Sequence, residues 1–128
     1  AYDLVIRDWS ADVCSSDLLR RDKVLDKVWE KGRLLLSLIR DEINKYPVGA
    51  ELSGIPPMPF ITFRKDAKKT YKDRRSLFYT QLIRRGVFLQ PFHHGYVCYR
   101  HTEKDLRYTA ETVGEALALV LERFGPMD

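Results

Sequence analysis

The residues with most evident chemistry lie between Arg64 and Arg85. Nine lysines and arginines (Arg64, Lys65, Lys68, Lys69, Lys72, Arg74, Arg75, Arg84, Arg85) face only Asp66 and Asp73 in that run. Such charge density can displace counterions from a phosphate backbone, and Tyr71, Phe78 and Tyr79 are interspersed as candidates for stacking on bases. The competing reading is a solvated loop and helix face with Phe78 in the core. No GXXG loop and no aromatic RNA-binding strand signature is present, so the solvated face is favoured and nucleic acid is not expected as a partner. A free-standing basic α+β module that binds nucleic acid through residues 64–85 stands as the alternative function.

His93, His94 and His101 with Cys98 form the second candidate set. Zinc sites use ligands at defined spacings, commonly paired cysteines with paired histidines. Adjacent residues on an extended chain point to opposite sides, so His93 and His94 are poorly placed to share one metal. No metal site is expected. Cys98 lies in a predicted strand, where a cysteine is ordinarily inert, and a loop histidine lining a binding cleft fits the pattern better. Thr102 to Asp105 has the spacing of a capping box, and the acidic Glu103 and Asp105 oppose an anion site there. No glycine-rich phosphate loop, nucleophile elbow or carboxylate cluster occurs.

The elements that must hold these residues follow from periodicity. From about Arg20, apolar residues recur at steps of three and four (Leu25, Val28, Trp29, Leu35, Leu36, Ile39, Ile43), which predicts an amphipathic helix ending at Tyr46-Pro47. Gly32 interrupts it and implies a close packing contact. Short strands are predicted at Glu51–Ser53 and Met58–Phe63, joined through Gly54-Ile55-Pro56-Pro57. A second helix is predicted over Asp73–Arg85, with Leu77, Phe78, Leu82 and Ile83 inward and Gly86 as a left-handed C-cap. Val87–Leu89 and Tyr96–Tyr99 are predicted strands around a loop at Pro91–Gly95. A final helix carries Leu106, Ala110, Val113, Leu117, Val120, Leu121 and Phe124 on one stripe, and Gly125-Pro126 stops it. The expected fold is α+β, a small mostly antiparallel sheet packed by helices in the order α-β-β-α-β-β-α.

Length and composition agree with one domain. The 128 residues are 45% apolar and 31% charged, with 22 basic and 18 acidic residues and a net charge of +4. That is enough apolar material for a core, with charge too balanced for disorder. No window approaches the roughly 20 apolar residues of a membrane span, and no secretory signal pattern appears, so a cytoplasmic protein without a membrane partner is expected. Cys14 and Cys98 are too few for a disulfide framework.

Residues 1–18 differ from the rest. They have no helical or strand period, and Asp12-Val13-Cys14-Ser15-Ser16-Asp17-Leu18 is what one frame of a common sequencing adapter encodes. Asp8-Trp9-Ser10 and Ala1-Tyr2 continue that match upstream. The segment is therefore expected to be an artefactual or disordered leader, with the domain proper at 19–128. Setting it aside removes one basic and four acidic residues and raises the net charge to +7.

Several motifs in order resemble one family. Arg85-Gly86-Val87-Phe88-Leu89, Pro91, Gly95-Tyr96-Val97 and His101-Thr102-Glu103-Lys104-Asp105-Leu106 before a long helix are similar to the C-terminal end of class III pyridoxal-phosphate-dependent aminotransferases. The strongest likeness is to the glutamate-1-semialdehyde aminomutase-like branch. Val24–Trp29 with Glu30 and Gly32, and Ser53–Pro57 followed by Phe60–Phe63, resemble upstream motifs of the same family. The likeness runs from about Lys23 to Phe124.

This resemblance implies a fold-type I small C-terminal domain that covers the substrate site of an enzyme transferring or relocating an amino group. In the family a separate large domain binds pyridoxal phosphate through a Schiff-base lysine and an aspartate at the pyridine nitrogen. Neither motif has a counterpart here: Lys31-Gly32 is the only Lys-Gly pair, and it falls in a helix that matches another part of the family. The resemblance therefore implies a fragment that is inactive alone and holds no cofactor. Its implied partners are an amino-acid-like small molecule, its own large domain and a homodimer mate. By the same resemblance, Phe92, His93 and His94 border the substrate pocket. Arg100 lies near an arginine that holds a substrate carboxylate in some members, although Cys98 stands closer to that place.

Overall fold

The computed structural model describes residues 16–127. Of the 1–18 segment only residues 16–18 fall within that range, so Cys14 and most of the leader lie outside the described residues. A short helical stretch at 16–21 ends in a turn where Lys23 takes a φ of 48°.

Helix α1 spans Val24–Lys45 and buries Val24, Gly32, Leu35 and Ile39 along one stripe. Leu25 and Trp29, expected inside, are exposed, because the buried stripe runs through Val24, Gly32, Leu35 and Ile39 and they lie one position to its side. Gly32 is required by packing: a Cβ there would sit 2.1 Å from the Pro56 carbonyl oxygen. Tyr46 turns extended, and the chain enters a hairpin of β1 (Ala50–Ile55) and β2 (Met58–Phe63), paired antiparallel from Ala50↔Phe63 to Ile55↔Met58. Pro56 and Pro57 are the two residues between the last pair, where the absence of their N–H groups costs no ladder bond. Strand β2 alternates half-buried and buried positions, as a strand with one face on the core must.

Helix α2 covers Tyr71–Arg84. Its start is held by Asp66, whose carboxylate accepts from the Tyr71 N–H at 2.9 Å and from both the Thr70 N–H and hydroxyl at 3.1 Å. Phe78 and Leu82 are fully buried as expected, whereas Ile83 points outward and Tyr79 takes the inner position. The Tyr79 hydroxyl donates to the Ile61 carbonyl at 2.5 Å, and burial pushes its pKa up to about 12. Gly86 closes the helix with a φ of +80°, and the Gly86 and Val87 N–H groups return to the Ile83 and Leu82 carbonyls. That is the glycine-terminated ending the sequence implies.

Helix α3 spans Glu103–Phe124 and begins with a complete capping box: the Thr102 hydroxyl accepts from the Asp105 N–H, and the Asp105 carboxylate accepts from the Thr102 N–H at 2.7 Å. Leu106, Ala110, Val113, Leu117 and Val120 are buried between α1 and α2, where the core is centred. The far end is capped from the basic segment, by a residue expected on its solvated face. Arg74 is buried, and its guanidinium donates to the Phe124 and Gly125 carbonyls at 3.1 and 2.7 Å and stacks on the Phe124 ring.

The α+β class stands, with a two-stranded antiparallel sheet and the observed order α-β-β-α-α. The two later strands do not form. The Val87 N–H is used in the helix ending, while the Gly95 and Val97 N–H groups donate to the carbonyls of Pro59 and Pro57 at 2.8 and 2.9 Å. Residues 95–97 thus run along the open edge of β2, but the prolines opposite have no N–H to return, so only half a ladder exists.

Candidate functional site

Between the edge of β2, the 86–97 segment and the first turns of α3 lies a cleft of about 290 Å³. Its walls are apolar, from Leu35, Ile39, Phe60, Ile61, Val97 and Leu106, and its polar groups come from Gln90, His93, His101, Asp105, Tyr108 and Thr109. An apolar cleft with a few convergent polar groups is the general form of a small-molecule site, and this volume lies just below the roughly 300–1,000 Å³ range. The half-ladder on Pro57 and Pro59 sets one wall. The capping box fixes another by placing His101 just ahead of α3 and Asp105 and Thr109 one turn apart. The Tyr108 hydroxyl donates to the Arg85 carbonyl at 2.7 Å and ties α3 to the end of α2 beside the opening.

The hydrogen bonds assign the two cleft histidines opposite roles. The Cys98 N–H donates to His101 Nδ1 at 3.1 Å, so a neutral His101 carries its proton on Nε2 and offers a donor. His93 Nδ1 lies 3.1 Å from the His94 carbonyl, which only accepts, so a neutral His93 keeps Nε2 as an acceptor. The Thr102 N–H and hydroxyl hold the Asp105 carboxyl below the usual aspartate range, and it stays ionised.

The residues expected at the site are distributed unevenly. His93 lines the cleft. His94 lies in an adjoining hollow with its ring 5.2 Å from Phe60. Phe92 is 75% exposed, outside the cleft, with the Arg75 guanidinium 4.4 Å from its ring centre. Arg100 is exposed and outside the cleft lining. Tyr108 and Thr109 carry no signal in the sequence, and His101 and Asp105 enter it only through the candidate metal set and the capping box. The capping box located their helix turn, but nothing in the sequence said that 86–97 would fold back over it. Among the described residues, no three of His, Cys, Asp and Glu converge as a metal set. Phe78 and Tyr79 are buried, which removes two of the three aromatics that the nucleic-acid reading needed.

No family-wide sequence profile matches the chain. It is 46% identical over 110 residues, 86% of its own length, to 3-aminobutyryl-CoA aminotransferase of Cloacimonas acidaminovorans. It is 27% identical over 116 residues to glutamate-1-semialdehyde 2,1-aminomutase of Archaeoglobus fulgidus. The chain matches a C-terminal fragment of a class III pyridoxal-phosphate-dependent aminotransferase. It spans 27% and 28% of the two aminotransferase-family relatives. Among solved structures, its fold is similar to the PLP internal aldimine form of the Sphingopyxis sp. MTA144 FumI protein (TM-score 0.73, 20% identity, 88% of this chain and 26% of that one). It is also similar to an (S)-enantioselective omega-transaminase from Thermomicrobium roseum (TM-score 0.66, 20% identity, 85% of this chain and 26% of that one).

Aminotransferase chemistry requires a lysine that reaches the cofactor aldehyde, and no lysine lines the cleft. Lys31 is committed elsewhere: its Nζ donates to the Tyr99 carbonyl at 2.5 Å and lies over the Tyr99 ring. The one cleft aspartate, Asp105, is bound to Thr102. The residues lining this cleft therefore do not fit a covalent cofactor site. Among them, no helix is long and apolar enough to cross a membrane.

Proposed function

We propose that residues 19–128 are the substrate-covering domain of a pyridoxal-phosphate-dependent enzyme that transfers an amino group, and that residues 1–18 are a leader foreign to it. The observation that carries this reading is the 46% identity to an aminotransferase over 110 residues, the length of segment 19–128. The cofactor, when bound in the whole enzyme, supplies the electron sink for breaking bonds at the amino-bearing carbon. This chain's part is to shape the space in front of it. The apolar walls exclude water from an aliphatic substrate, and the His101 donor and His93 acceptor orient its polar end. His94, Phe92 and Arg100 border the approach to that space.

The name of the more similar relative favours a 3-amino acyl thioester of coenzyme A as substrate over a free amino acid. A cytoplasmic location and a homodimeric whole enzyme belong to the same reading. Its test is amino-group transfer by the complete gene product with pyridoxal phosphate, 3-aminobutyryl-CoA and a 2-oxo acid. Transfer that requires the cofactor is the expected result, and transfer by the 128-residue chain alone would overturn the assignment of a covering role.

A further inference from the structure

We infer that the exposed basic surface of residues 65–75, together with Phe92, holds the phosphorylated nucleotide end of a coenzyme A thioester. This rests on the aminotransferase reading above and extends it to the non-reacting end of the substrate. The charge on this surface is not balanced from within. Lys65, Lys68, Lys69 and Lys72 are exposed and take part in no ion pair among the described residues. Asp66 has its carboxylate turned to the start of α2, bound to Thr70 and Tyr71, and so occupies the helix N-terminus instead of the lysines. Within residues 65–75 Arg74 is committed to the Phe124 and Gly125 carbonyls, which leaves the four lysines and Arg75 as the phosphate-facing set.

Arg75 connects this surface to the cleft. It lies three residues after Lys72, on the same side of α2, and stacks on Phe92. Phe92 in turn precedes His93, which lines the cleft. A largely exposed phenyl ring under a guanidinium offers a platform for a purine, since aromatic faces and arginine planes both stack on bases. A ligand with one aromatic base, several phosphates and a slender apolar arm leading to a small cleft matches this sequence of features. A nucleic acid would bring many bases, but Phe78 and Tyr79 are buried, and within residues 65–75 the half-buried Tyr71 is the one aromatic residue.

Titration of the 128-residue chain with coenzyme A, dephospho-coenzyme A and a single-stranded RNA oligonucleotide tests the inference. Coenzyme A is expected to bind with an affinity that falls with salt, to bind more tightly than the dephospho form, and to weaken by about tenfold in Lys68→Glu/Lys72→Glu. Phe92→Ala, at an exposed position, is expected to weaken it with unchanged circular dichroism. Absence of coenzyme A binding, equal binding by the charge-reversed variant, or tighter binding of RNA would each overturn the proposal. The complete gene product separates this failure from that of the parent reading. Amino transfer with equal KM for thioester in wild type and variant contradicts the coenzyme A surface alone. No amino transfer, with coenzyme A binding intact in the titration, contradicts the aminotransferase reading alone.

Discussion

Gly32 of α1 lies so close to the Pro56-Pro57 turn that a Cβ would stand 2.1 Å from the Pro56 carbonyl oxygen and 2.8 Å from the Pro57 nitrogen. The contact is with backbone, which has no side-chain rotamer to yield. Alanine is the better helix former by about 1 kcal/mol, so propensity alone predicts that Gly32→Ala stabilises the protein. Overpacking of about 1–3 kcal/mol acts in the other direction and is the larger effect here. Gly32→Ala is expected to lower the denaturant midpoint, measured by circular dichroism.

Arg74 ends α3 as a side-chain cap contributed by another helix. Arg74→Met keeps much of the apolar stem but leaves the Phe124 and Gly125 carbonyls without their charged donor. A loss of about 2–3 kcal/mol is expected, in the range for hydrogen bonds to charged groups, and it is read as a shift in the urea midpoint.

Tyr79 should make the domain sensitive to alkali. Burial raises its phenol to about 12, above the ordinary value near 10. The unfolded chain therefore loses this proton first. The contribution to stability is complete below pH 10 and disappears as pH rises through about 12. Tyr79→Phe is expected to reduce stability at neutral pH by about 1–3 kcal/mol, because the buried Ile61 carbonyl loses its donor, and to flatten the alkaline fall. An unchanged alkaline unfolding profile in Tyr79→Phe would contradict this.

The capping box gives the opposite pH dependence. Asp105 is lowered by its bonds to Thr102, so its stabilising effect is complete above the ordinary aspartate value of about 3.9 and is lost as pH falls through the lowered value. Thr102→Ala is expected to cost about 1 kcal/mol at neutral pH. Asp105→Asn is expected to remove part of the acid-unfolding slope.

How much was legible in the sequence depended on whether a feature was local. The stripe from Leu106 to Val120, the capping box at Thr102–Asp105 and the glycine ending at Gly86 are set by residues within a turn or two, and each reads directly from the chain. The hairpin was also legible in outline, because Pro56-Pro57 between two apolar runs leaves few alternatives. The later strands were not. Val87–Leu89 and Tyr96–Tyr99 have strand composition, but the edge open to residues 95–97 presents Pro57 and Pro59, which accept bonds and return none.

The cleft was legible in one residue. His93 follows from the family resemblance that sets its loop at the pocket, but His101, Asp105 and Thr109 reach the cleft only because the 86–97 segment folds across the start of α3. That is a nonlocal event with no local signature. Arg74 shows the same limit from another side. Within a run of nine basic residues nothing marks it as buried, and its role follows from the end of a helix 50 residues away in sequence.

The central claim is that this domain covers an amino-transfer site built mainly by the rest of the enzyme. Steady-state amino transfer by the complete gene product, compared between wild type and His93→Ala, tests it most directly. His93 is exposed, so the substitution should leave the thermal midpoint nearly unchanged. Transfer that depends on pyridoxal phosphate, with a KM for 3-aminobutyryl-CoA that rises in His93→Ala, is the expected result. Transfer with identical kinetics in both proteins, or no transfer at saturating cofactor, would contradict it.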